Sequence, residues 1–80
     1  MIVRLRLFAS YAEALGRDEI ALELPKGANA GDALAAIRAR PGADRLPPQP
    51  LVAVNRVYAT TRTRLSEGDE VALIPPVAGG

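Results

Sequence analysis

The stretch Glu70-Val71-Ala72-Leu73-Ile74-Pro75-Pro76-Val77-Ala78-Gly79-Gly80 decides the reading of this chain. Its first five residues alternate: Val71 and Leu73 point one way, Ala72 and Ile74 the other, as in a strand. Pro75-Pro76 then stiffens the chain, Val77-Ala78 forms a small spacer, and the sequence closes on Gly-Gly. Glycine loses more backbone freedom on folding than any other residue, so such an end suits a core poorly. Taken alone it is either a frayed tail or one built to thread a channel too narrow for side chains.

The first strand candidate lies at the other end of the chain. In Ile2–Phe8, Val3, Leu5 and Leu7 alternate with Arg4 and Arg6, and Phe8 falls on the arginine side, away from the core. Ser10 and Glu13 have the spacing of a capping box for a short helix, which Gly16 stops. Ile20, Leu22 and Leu24 alternate in a second strand, ended by Pro25-Lys26-Gly27. Asn29 and Asp32 repeat the cap spacing ahead of the main helix, from about Ala30 to Ala39 or Arg40. Its apolar stripe is Ala30, Ala33, Leu34 and Ile37; Gly31 weakens it slightly. Pro41-Gly42 ends it. Ala43 to Pro50 reads as a proline-rich loop from which Leu46 can fold back on the core.

Leu51–Val54 is apolar throughout, as a central strand is. Asn55-Arg56 reads as a tight turn and Val57–Ala59 as a short returning strand. Thr60–Leu65 has no decisive pattern. Ser66-Glu67-Gly68-Asp69 is a turn before the last strand. One long helix and four to five strands predict an α+β domain, a mixed sheet packed on one face by that helix. First and last strands pairing at its centre would project the tail off the sheet edge.

Composition narrows the function. Eighty residues make one domain, which buries only about 60–65% of its unfolded surface. Nine arginines and one lysine, Lys26, offset nine acids, for a net charge of +1. The cations are spread between acids, which points to solvated surface and not to nucleic acid. No apolar run reaches the ~20 residues of a membrane span, and the start lacks a signal-peptide stretch, so the cytoplasm is the expected location. Neither His nor Cys is present. The commonest general base and the commonest thiol nucleophile are therefore missing, and metal binding is not expected. Chemistry is expected to happen to this protein and not by it. Ser10 and Ser66 sit in a cap and a turn, Gly68-Asp69 is a turn signal, and Asp69 with Glu70 is too little for a metal.

Several segments together resemble the small subunits of molybdopterin synthase (MoaD-like sulfur carriers): Val3–Ala9, Leu15-Gly16, Leu24–Ala28, Leu51–Asn55 and, most specifically, Leu65–Gly80. The likeness spans essentially the whole chain. It implies the ubiquitin-like β-grasp fold over residues 1–80, a single carrier domain with a flexible Gly-Gly tail. It also implies that the Gly80 carboxylate is adenylated by an E1-like enzyme using ATP and becomes a thiocarboxylate. The carrier itself would hold no cofactor. Gly79, Ala78 and Val77 would thread the partner's channel. Phe8, Tyr58 and Ile74, with Pro75 and Pro76, would contact the large synthase subunit in a heterotetramer. The family more often has an aliphatic residue where Tyr58 stands and often an aromatic one where Ile74 stands. The same fold and tail also suit a thiamin-pathway (ThiS-like) carrier, a tRNA-thiolation carrier, a ubiquitin-like protein modifier, or an interaction module never activated at its terminus.

Overall fold

In the computed structural model, which describes residues 1–43 and 50–75, seven elements follow in order. They are β1 (Ile2–Leu7), α1 (Ser10–Leu15), β2 (Glu19–Glu23), α2 (Ala30–Arg38), β3 (Leu51–Val54), β4 (Val57–Ala59) and β5 (Glu70–Ile74). The strands form one mixed sheet in the order β2-β1-β5-β3-β4. β1 and β5 run parallel side by side, with Leu5 opposite Val71 and Leu7 opposite Leu73. The remaining pairs are antiparallel. This is the α+β, ubiquitin-like β-grasp architecture.

Alternation sorts the two faces of the sheet. Val3, Leu5 and Leu7 of β1, Ile20 and Leu22 of β2, Val52 of β3, and Val71 and Leu73 of β5 are buried in one core. Ala30, Ala33 and Ile37 of α2 close it from the helix side, while Leu34 is only partly buried. Tyr11 of α1 is fully buried in the same cluster. A β-strand that alternates this strictly cannot slip by one residue without exposing its whole apolar set.

The start of α2 explains two features of the sequence. Asn29 Oδ1 accepts from the Asp32 backbone N–H, and Asp32 Oδ2 accepts from the Asn29 N–H, both at 2.9 Å. The reciprocal cap thus forms. The next donors are satisfied by the segment that had no decisive pattern. Ala30 N–H donates to the Thr63 carbonyl and Gly31 N–H to the Thr61 carbonyl, both at 2.8 Å. Gly31 sits there because a Cβ would lie 3.1 Å from that Thr61 carbonyl oxygen. Close approach of two backbones, not helix propensity, sets this residue.

Three expectations need correction or bounds. Ser10 does not cap α1: it is already helical, Ala9 takes the N-cap position at φ 48°, and no side chain caps it. Burial of Tyr11 one position later fixes the register of this short helix, and that carries Ser10 past the cap site. β1 ends at Leu7, so Phe8 lies just beyond the strand. The proposed folding back of Leu46 concerns a residue outside the described ones. Among the described residues, no helix is long and apolar enough to cross a membrane.

Candidate functional site

The face of the sheet away from α2 carries the residues of interest. Register places them in rows. Arg6 lies opposite Ala72, Ala72 opposite Ala53, and Ala53 opposite Tyr58, so one row crosses β1, β5, β3 and β4. In the next row toward the end of β5, Ile74 lies opposite Leu51. Continuing the parallel register brings Phe8 alongside Ile74. Ala53 and Ala72 are short, so the row sags at its centre. The result is a shallow depression of about 340 Å³. Phe8, Tyr58 and Ile74 stand round it, with Arg6 and Arg56 at its rim.

Phe8 is 40% exposed and Tyr58 74% exposed. Large apolar side chains left open around one hollow form a patch suited to a partner, although single exposed apolar residues need no such explanation. Arg6 is held in place twice. Its guanidinium carbon lies 5.5 Å from the centre of the Phe8 ring, and its NH1 is 3.8 Å from Glu70 Oε2. Both groups are partly exposed to solvent, so the pair orients the arginine more than it stabilises the fold.

Local turns position the far rim. Asn55 and Arg56 take φ 50° and 70° between the paired residues Val54 and Val57, the left-handed pair of a two-residue hairpin turn. Asn55 then ties this turn to β5. Its backbone N–H donates to the Glu70 carbonyl at 2.8 Å, its Oδ1 accepts from Glu70 N–H, and its Nδ2 donates to Asp69 Oδ1. The other oxygen of Asp69 accepts from Ser66 N–H at 2.7 Å. The bend before β5 and the β3–β4 turn therefore hold one another.

Ile74 ends β5 beside the hollow, and half-buried Pro75 follows directly. Pro76, Val77, Ala78, Gly79 and Gly80 lie outside the described residues. The structure thus places Phe8, Tyr58 and Ile74 round one hollow that reaches the last residue of β5. Arg6, Arg56, Ala53 and Ala72 join them, with Leu51 opposite Ile74. The sequence read Arg6 as a surface charge and Arg56 as a turn residue. Only the pairing register, which joins distant segments, shows them sharing one hollow. A larger groove, about 610 Å³, lies at the opposite end of the sheet, between Met1, Lys26 and the Arg64–Glu67 segment. It lies far from the end of β5.

Known proteins resemble this chain along most or all of its length. A family profile, that of the ThiS family, matches residues 5–80. The chain belongs to the ThiS family. It is 37% identical over 83 residues to the molybdopterin synthase sulfur carrier subunit of Chlamydomonas reinhardtii, covering 100% of both chains. The protein of that name from Arabidopsis thaliana is 28% identical, over 98% of this chain and 82% of its own. Among solved structures, small archaeal modifier protein 1 of Haloferax volcanii superposes with a TM-score of 0.83 at 32% identity, covering 100% of each chain.

Proposed function

We propose that this ThiS-family chain is the sulfur carrier subunit of a molybdopterin synthase. The observation that carries the reading is the position of the apolar hollow. It runs along β5 to Ile74, the last residue of that strand, in a chain that matches a named sulfur carrier subunit from end to end. A carrier must dock on one protein after another through one face and insert one tail, and in the sequence the tail follows directly on the strand that borders this face.

The chemistry acts on Gly80. A carboxylate is a poor electrophile. In the first step its oxygen attacks the α-phosphorus of ATP on an E1-like enzyme; pyrophosphate leaves and an acyl-adenylate forms. Hydrosulfide then attacks the acyl carbon, AMP leaves, and the terminus becomes a thiocarboxylate. That group is a better nucleophile than a carboxylate at neutral pH. In complex with the large synthase subunit it delivers its sulfur to a cyclic pterin precursor, and two such deliveries supply the dithiolene that holds molybdenum. ATP belongs to the activating enzyme, and the cytoplasm is the proposed setting.

This assignment fits the residues. The chain has no His or Cys, and the hollow is lined by apolar side chains, two arginines and Glu70, whose carboxylate faces Arg6. Such a face suits binding a partner. Intact-mass analysis of the protein from its native cell tests the reading. The expected species is heavier than the unmodified chain by the exchange of one terminal oxygen for sulfur. An isopeptide conjugate to another protein, with no thiocarboxylate, would make it a modifier instead.

A further inference from the structure

We infer that Arg56 is a docking residue, kept at a backbone cost to pair with a carboxylate on the large subunit. The inference rests on the sulfur-carrier reading above. Arg56 has φ 70° and occupies the second central position of the β3–β4 turn. That position favours glycine, because a Cβ crowds the backbone in the left-handed region. Asn55 shares the conformation, but asparagine tolerates it, and here its side chain ties the turn to Asp69 and Glu70. Arg56 has no such return. Among the described residues its guanidinium makes no ion pair, no hydrogen bond and no ring contact.

A strained residue whose side chain engages none of the described residues points to use outside the chain. Its location says what use. Arg56 stands at the rim of the hollow that Phe8, Tyr58 and Ile74 surround. The one carboxylate lining that hollow, Glu70, is already engaged by Arg6. The rim therefore presents an unspent positive charge beside an apolar patch. A protein surface that fits it has an apolar ridge for the hollow and an Asp or Glu at the edge nearest the β3–β4 turn. Arginine suits this role because its planar fork grips a carboxylate through two hydrogen bonds.

Arg56→Gly separates the two roles, since it relieves the backbone while removing the charge. The expected melting temperature is about 2–6 °C higher than that of the natural chain. Affinity for the isolated large subunit from the same organism is expected to fall about tenfold near 0.05 M salt and to differ by less than about twofold near 0.5 M salt. Arg56→Lys, which keeps the charge but not the two-pronged fork, should recover only part of the low-salt affinity. Phe8→Ala, measured alongside, should weaken binding at both salt concentrations. If Phe8→Ala weakens binding and Arg56→Gly binds normally at low salt, the role of Arg56 is refuted and the docking face stands. A loss in Arg56→Gly that salt does not change, or a lowered melting temperature, also refutes it. Normal binding by both variants refutes the docking face itself.

Discussion

Ala53 lies directly opposite Ala72 across the antiparallel β3–β5 pair, on the face of the sheet away from the core. Both are buried, yet neither belongs to the main core cluster. Both line the hollow, ringed by larger side chains. Two methyl groups at the centre of a face walled by aromatic and arginine side chains make a floor, and the hollow exists because those two positions are small.

Filling that floor should block docking without unfolding the protein. Ala72→Leu places extra carbons where the partner's apolar ridge would sit. The side chains around it must shift to admit the larger residue, so stability should fall by about 1–3 kcal/mol, as at other overpacked buried positions. Affinity for the large subunit should fall by roughly 1–3 kcal/mol. Unaltered binding in a calorimetric titration would show that the hollow is not used.

The two faces should respond differently to truncation. Phe8→Ala and Ile74→Ala are expected to cost about 1–3 kcal/mol of binding, as for interface anchors. Leu5 is fully buried under α2, and Leu5→Ala should cost about 2–5 kcal/mol of stability. Melting curves on the three variants check the contrast. Equal losses of stability in Phe8→Ala and Leu5→Ala would contradict the assignment of faces.

The α2 cap makes a prediction about stability alone. Asn29→Ala leaves the Asp32 N–H without its side-chain acceptor and should cost about 0.5–2 kcal/mol. Gly31→Ala should not yield the gain of about 1 kcal/mol that helix propensity alone promises. Its new methyl would press on the Thr61 carbonyl. Denaturant titration of both variants measures this, and a stabilised Gly31→Ala would show that the Thr61 segment yields freely.

Tyr11 should make the fold sensitive to alkali. Burial raises its phenol above the ordinary value, and the nearby Arg38 charge offsets this only in part. In the folded state it therefore resists ionisation more than in the unfolded chain. Its contribution is complete below the unfolded pKa of about 10 and is lost as pH rises from there through the higher folded value. Stability of Tyr11→Phe, whatever its starting level, should fall less over the same alkaline interval. Parallel curves for the two proteins would exclude this cause.

Gly79→Val should fold normally and fail in sulfur delivery. Valine does not readily take glycine-only backbone angles, and its branched side chain would not enter a channel shaped for a bare backbone. Turnover with the large subunit, compared at equal thiocarboxylate content, is the measurement. An undiminished rate would remove the channel from the account.

Much of the fold was legible because strict alternation leaves little choice. Val3, Leu5 and Leu7 could face only one way, and so could Val71 and Leu73. The Asn29–Asp32 cap and the Asn55-Arg56 turn were readable for the same local reason. Tyr11 was missed because a single aromatic residue in a six-residue helix has no period to reveal it. Its burial also displaced the expected Ser10 cap. Phe8 and Ile74 were legible as outward residues from alternation, and Tyr58 only through the family resemblance. The hollow was not, because its floor and rim are set by Ala53, Ala72, Arg6 and Arg56, whose proximity depends on pairing between segments far apart in the chain.

The central claim is that sulfur carried on Gly80 becomes the sulfur of the pterin product. The most direct measurement combines the thiocarboxylated chain, the large subunit and the cyclic pterin precursor, with the thiocarboxylate sulfur isotopically labelled. The label is expected in the dithiolene of the product, with two equivalents of carrier consumed for each pterin converted and no product from the carboxylate form. A labelled carrier that binds the large subunit yet leaves the pterin unlabelled would contradict the account.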